Sequence, residues 1–324
     1  MYLKLLFVQR RAIKQLVTKY LDAAFGVFTN NEKIGGIEIK KVPVYQGGYN
    51  QNILYISTVA TGISKSHNSS SREISQVITT ITKDIAQYLS QHSDNLFSIK
   101  IVPPGEIHLQ LFESTLAAWL ESLIVSSQTE DFVVKEDRRQ VGGGTRPFLL
   151  KEFVPDSQNF IFQSGGFGAD GGHNYADHLS PSSFSIQYAH ARCCSLIRHG
   201  YQEGLIQLVP TVTGMETTVQ SIPWLNSDQK LYLQHSDESF LIYQLVKVVD
   251  DLAMTNGGSR NWEKAGKKLG QAFERFWGSC RIWGEVKINS LELAQARLGL
   301  VMATQLVLKS VLEDKLGIIA PREL

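Results

Sequence analysis

Apolar positions recur at helical spacing across residues 8–25, as Ile13, Leu16, Val17, Tyr20, Leu21 and Ala24, and predict a helix. Residues 37–44 alternate as a strand beside Pro43, and residues 50–63 read as a helix entered through Gly47-Gly48. The small polar run 67–71 reads as a loop. Ile74, Val77, Ile78, Ile81, Ile85 and Leu89 then mark a long amphipathic helix over 73–89. Residues 97–102 and 106–112 read as strands either side of the turn Pro103-Pro104-Gly105, and 115–124 as a short helix. The first stretch thus predicts an α/β unit of about 120 residues.

The pattern changes over residues 125–182. Seven charged residues (Glu130, Asp131, Lys135, Glu136, Asp137, Arg138, Arg139) are followed by Gly142-Gly143-Gly144 and by a glycine cluster from Ser164 to Gly172. Only 148–154 and 159–162 look strand-like. A phosphate loop would end in Gly-Lys-Ser/Thr and open a helix, and this cluster does neither. A flexible glycine-rich connector fits the composition. From Ser183 onward the chain is helical: 184–199, 240–252 with Ser236 as N-cap and acids in its first turn, 262–282, and 291–316. Four or five helices in a bundle are the economical architecture. The predicted class is α+β: an N-terminal α/β unit over 1–124, a connector over 125–182 and an all-α bundle over 183–324.

Length agrees with that division, since 324 residues exceed the roughly 150 of one domain. Hydrophobic residues at 43% supply cores, and charged residues at 19% are too few for disorder. Lys+Arg 32 against Asp+Glu 31 leaves +1, which excludes a globally basic nucleic-acid binder but not a local basic face. Residues 1–41 hold eight Lys/Arg and three acids, a local excess of five. Cys193, Cys194 and Cys280 are too few for a disulfide scaffold or a four-thiolate zinc site, and read as reduced cytosolic thiols. No apolar run reaches the roughly 18 residues of a membrane span, and the N-terminal stretch, broken by Lys4, reads as a helix start and not a leader. No cofactor or metal is indicated, and the expected compartment is the cytoplasm.

Several segments carry a resemblance. Ile186-Gln187-Tyr188-Ala189-His190-Ala191-Arg192, continuing through Arg198, resembles the opening of the DALR anticodon-binding domain of arginyl-tRNA synthetases. Phe273-Glu274-Arg275-Phe276-Trp277 with Cys280-Arg281-Ile282, then Ala296-Arg297-Leu298, follow in that family's order. The ending, from Leu316 to Leu324, is similar to its terminal Gly-Ile-x-Ala-Pro-Glu-Arg-Met, with Arg and Glu transposed and Leu for Met. In the first stretch, Gly47-Gly48-Tyr49-Asn50-Gln51-Asn52 resembles the Gly-Asp-Tyr-Gln-x-Asn signature of the family's N-terminal additional domain, with Gly48 for Asp. Pro104-Gly105-Glu106-Ile107-His108-Leu109 resembles its Pro-Gly-Phe-Ile-Asn-Ile strand, with Glu106 for Phe and His108 for Asn.

The family's catalytic domain carries a His-x-Gly-His motif and a Lys-Met-Ser-Lys-like loop, and neither pattern occurs here. The naming Asp-Ala-Leu-Arg signature is absent too. A doubly wound nucleotide fold does not fit in residues 125–181. The resemblance therefore implies a synthetase-like chain without its catalytic core, not an enzyme, with both RNA-facing ends kept. The RNA-binding positions it implies are Tyr49, Asn50, Asn52, His108, Gln187, Tyr188, Arg192, Lys264, Lys267, Lys268, Trp277 and Arg281.

Tyr188 and Arg192 share a helix face at i and i+4, suited either to packing or to stacking a base and holding a phosphate. His190 reads as a satisfied core histidine. Lys264, Lys267 and Lys268 share a face, either solvated or turned to RNA. Two functions follow. One is a non-catalytic protein that binds tRNA or a tRNA-like RNA and presents it to a modifying or translation-linked partner. The other is a repurposed module that binds protein and no RNA.

Overall fold

The structure, a computed structural model, describes residues 12–30, 43–48, 52–58, 71–103, 105–125, 181–210, 216–218, 221–253 and 261–324. The readings at 37–42, 67–70 and 126–180, and the positions Tyr49 and Asn50, lie outside the described residues.

The N-terminal unit holds α1 (Ile13–Asn30), β1 (Val44–Gln46), β2 (Leu54–Ser57), α2 (Ser71–His92), β3 (Phe97–Val102), β4 (Glu106–Leu111) and α3 (Glu113–Val125). Its sheet is antiparallel throughout, in the order β1-β2-β4-β3. Alternation sets the faces. Tyr55, Ile107 and Leu109 point inward beneath α1 and α2, where Leu21, Ile85 and Leu89 are also fully buried. One expectation is corrected here: the segment read as a helix over 50–63 contains strand β2. Ile53, Tyr55 and Ser57 are buried while Leu54 and Ile56 are half-exposed, a period of two.

The helical unit comprises α4 (Pro181–Gln202), α5 (Ser236–Leu252), α6 (Trp262–Ser279), the short α7 (Glu285–Asn289) and α8 (Leu291–Ser310), which ends in a π-helical turn over Val311–Lys315. A two-stranded antiparallel ribbon, β5 (Leu208–Pro210) with β6 (Glu216–Thr218), escaped the sequence reading. The N-cap of α5 is also corrected. It is His235, not Ser236: the His235 Nδ1 accepts the Asp237 N–H at 3.1 Å, and Glu238 Oε2 accepts the His235 N–H at 2.7 Å.

Helix α8 with its π turn (Leu291–Lys315) is long and apolar enough to cross a membrane by length and composition, yet it is the central helix of the bundle. Ala294, Leu298, Leu300, Val301, Ala303 and Leu308 are fully buried on several of its sides. Such all-round burial is what a core helix needs. Gly299 lets a loop settle on it. A Cβ there would lie 2.8 Å from Trp224 Cη2 and 2.9 Å from Ile222 Cγ2. Gly299→Ala should therefore destabilise the protein by about 1–3 kcal/mol through overpacking, despite alanine's better helix propensity. A chemical-denaturation midpoint equal to or above wild type would show that the loop yields.

The two units share one apolar cluster. Across their junction Trp224 Nε1 donates to Glu121 Oε2 at 2.9 Å, and Glu113 Oε2 accepts the Leu231 N–H at 2.7 Å. Gln15 Nε2 donates to the Ala253 carbonyl at 2.9 Å, and the Tyr243 hydroxyl to the Gly47 carbonyl at 3.3 Å.

Candidate nucleic-acid interface

Two glycines on α6 bring α4 close. A Cβ at Gly266 would lie 2.8 Å from Ile186 Cδ1, and one at Gly270 3.3 Å from Ala189 Cβ. This approach buries Ile186, Ala189 and Cys193 and turns Phe184, Tyr188, Arg192 and Ser195 outward. Tyr188 is 46% exposed, so its ring is available on the surface.

The chain end lies along the same helix. Gly317, at φ +67°, turns the backbone after the π turn, and the Ile318 N–H closes the turn on the Leu312 carbonyl at 2.9 Å. Gln187 Nε2 then donates to the Ile319 carbonyl at 2.9 Å. Gln305 Nε2 donates to His190 Nε2 at 2.7 Å, which leaves the proton on Nδ1, and Nδ1 donates to the Pro321 carbonyl at 2.8 Å. His190 is only 2% exposed, and burial pushes its pKa down, so the ring stays neutral in this tautomer. Arg198 pairs with Glu323 at 2.8 Å.

Between helix and tail lies an open groove of about 320 Å³, lined among others by Tyr188, Arg192, Arg198, Arg322 and Glu323. Three arginines and Glu323 thus line the groove beside an exposed phenol ring, and one of the arginines, Arg198, is already paired with that carboxylate. The Arg192 guanidinium stands 5.2 Å from the centroid of the Trp277 ring. Trp277 meets Trp283 edge-on at 5.8 Å, and Trp283 lies 4.7 Å from the His199 ring. An arginine held over an indole keeps its charge while losing side-chain freedom. The arrangement can stack one planar base on Tyr188 and hold anionic oxygens on Arg192 and Arg322.

The structure brings Tyr188, Arg192 and Trp277 into one cluster. Gln187 is beside them, but its amide is committed to the tail. Lys264, Lys267 and Lys268 are exposed on α6. At ~100° per residue, Lys264 and Lys268 face away from Trp277 and stand roughly 14–20 Å from it along the axis, so they do not join the groove. The Arg281 side chain is exposed, and its carbonyl accepts from Arg297 Nη1. In the N-terminal unit, Asn52 is exposed and lines a narrow cleft of about 100 Å³ with Glu113 and Gln234. His108 sits on the outer sheet face and pairs with Glu106 at 3.0 Å. Arg198, Arg322 and Trp283 were not among the predicted site residues. The first two stand inside the motifs that carried the resemblance, which was the available signal.

Residues 186–324 match the DALR anticodon binding domain. The segment so matched begins within α4 and ends with the tail that closes the groove. The chain is 33% identical over 141 residues to an arginine–tRNA ligase of Synechococcus sp. (strain JA-3-3Ab), covering 43% of this chain and 22% of that protein. Against the arginine–tRNA ligase of Salinibacter ruber the identity is 29% over 217 residues, 65% of this chain and 33% of the relative. Against that of Heliobacterium modesticaldum it is 29% over 184 residues, 54% of this chain and 30% of the relative. The chain thus spans a third or less of the length of these relatives. No solved structure matches. Among the described residues, no group of three or more His, Cys, Asp or Glu is placed to hold a metal ion.

Proposed function

We propose that this chain is a non-catalytic RNA-binding protein of arginyl-tRNA synthetase descent that grips tRNA or a tRNA-like fold. The observation that carries the reading is the groove between α4 and the chain end. An exposed tyrosine, an arginine fixed over an indole and Arg322 meet there beside the Arg198–Glu323 ion pair, inside the segment that matches an anticodon binding domain. The RNA's phosphates would supply most of the affinity and one unstacked base the selectivity. The division into an additional-type domain over 1–124, a connector over 125–182 and an anticodon-binding domain over 183–324 belongs to this proposal. So do a cytoplasmic setting and a role as an adaptor that presents RNA to a modifying or translation-linked partner.

The N-terminal unit supports a second reading. Glu106 stands on the outer sheet face paired to His108, where the resemblance places an RNA-reading surface. A carboxylate there repels phosphate, and this face suits a protein partner better.

Two assays on the full chain test the proposal. Filter binding with bulk tRNA at low salt should show saturable retention. ATP–pyrophosphate exchange with arginine, with and without tRNA, should stay at the no-enzyme level. Absence of tRNA binding at low salt would move the function to the protein-partner reading. Exchange above background would make the chain a ligase.

A further inference from the structure

One guanidinium of the groove already holds an anion, and the anion belongs to this chain. Arg198, near the end of α4, donates from Nη1 to Oε1 of Glu323 at 2.8 Å. Both residues line the groove with Tyr188, Arg192 and Arg322. The chain end is fixed as far as Pro321: the Ile319 carbonyl accepts from Gln187 Nε2 and the Pro321 carbonyl from His190 Nδ1. Past Pro321 the chain is exposed, through Arg322, Glu323 and Leu324. The Glu323 side chain is 78% exposed and that of Arg198 37%. The carboxylate can therefore leave Arg198 by turning its own side chain, while the tail stays docked at Pro321. An exposed pair of this kind adds little to the stability of the fold. It does place two anionic oxygens where a guanidinium would otherwise receive those of a phosphate.

Resting on the RNA-binding reading, we propose that Arg198 is a further phosphate site of the groove and that Glu323 is its built-in occupant, displaced by an RNA phosphate. The exchange is balanced in charge. The guanidinium gives up one carboxylate and takes one phosphodiester, and Glu323 turns out into water. Arg198 lies six residues past Arg192, about 9 Å further along α4, so it takes the phosphate of a neighbouring nucleotide. A single free anion meets a filled site there. An RNA already held on Tyr188, Arg192 and Arg322 presents its next phosphate at high effective concentration and can displace the carboxylate. Glu323 thus lowers affinity for every RNA, and most for those that reach no further than Arg192.

Filter binding of bulk tRNA to the full chain tests this as a double-mutant cycle over Arg198→Ala and Glu323→Gln, with the melting temperature of each protein as the check on folding. Glu323→Gln should tighten binding about two- to fivefold at low salt, the strength of an exposed ion pair. Arg198→Ala should weaken it and make the slope of log K against log salt shallower by about 1. In the Arg198→Ala background Glu323→Gln should gain almost nothing, because the carboxylate no longer competes for a cation. Should Arg198→Ala lower the melting temperature, Arg198→Gln, which keeps most of the aliphatic stem, takes its place. An equal gain from Glu323→Gln in both backgrounds would mean that the acid merely repels RNA at a distance, and it overturns the proposal. An unchanged salt slope in Arg198→Ala does the same. Retention of tRNA by wild type with no gain in Glu323→Gln sinks this proposal alone, whereas no retention by any of the four proteins sinks the RNA-binding reading and this proposal with it.

Discussion

Replacing Glu238 with alanine should cost the protein about 3–5 kcal/mol, the loss expected when one partner of a buried ion pair is removed. The Glu238 side chain is 1% exposed, and Oε1 accepts Arg297 Nε at 2.6 Å. Its other oxygen holds the His235 N–H at 2.7 Å, closing the capping box of α5. Alanine would leave the Arg297 guanidinium, itself only 11% exposed, without its anion, and would strand a helix-end donor. Globular domains are stable by about 5–15 kcal/mol, so this single change approaches global unfolding. The damage would reach the candidate interface, since Arg297 also holds the Arg281 carbonyl. Equilibrium denaturation in urea measures it. Arg297→Met combined with Glu238→Met should lose much less than either single replacement, because no charge is left buried alone. A Glu238→Ala loss below about 1 kcal/mol would mean that water reaches Arg297.

The pattern of the chain foretold the long helices because their apolar stripes repeat over several turns, as from Ile78 to Leu89 in α2. It misread β2 because Ile53-Leu54-Tyr55-Ile56 is apolar on both faces, and a short continuous run carries no period. The cap of α5 was placed one residue late. A serine is the commoner cap, whereas an imidazole acceptor at His235 does the same work and starts the box that ends at Glu238. The candidate site was legible in pieces. Tyr188 with Arg192 and the Gly-Ile-x-Ala-Pro-like ending are separate motifs in the sequence. Their meeting through Gln187 and Ile319, and through His190 and Pro321, is a tertiary fact over more than a hundred residues of separation. Lys264, Lys267 and Lys268 were legible as one exposed face, but helical spacing on α6 alone says nothing of what stands across from it. Asp250, whose carboxylate accepts the Lys14 N–H and the Tyr55 hydroxyl, was invisible for the same reason. An acid late in an amphipathic helix looks like a solvated one until β2 and α1 are seen to close over it.

Tyr188→Ala should weaken RNA binding by about 1–3 kcal/mol while leaving thermal stability unchanged. The size is that of one base stacked on an aromatic ring. Stability is spared because the ring is nearly half exposed and completes no core contact that alanine would void. Arg192→Ala should behave differently. It removes a phosphate contact, so it should weaken all RNAs alike and make the slope of log K against log salt shallower by about 1. With four to six phosphate contacts the wild-type slope should be roughly −4 to −5. Arg192→Ala also releases Trp277 from its cation, which should show as a change in indole fluorescence even without RNA. Charge reversal at Lys264, Lys267 and Lys268 separates a local footprint from an extended one. These lysines lie outside the groove, so they weaken binding only where the RNA runs on along α6. The decisive pair of measurements is the melting temperature and tRNA affinity of Tyr188→Ala. Unchanged affinity with a lowered melting temperature would assign Tyr188 to packing. Lost affinity with an intact melt would place a base on its ring.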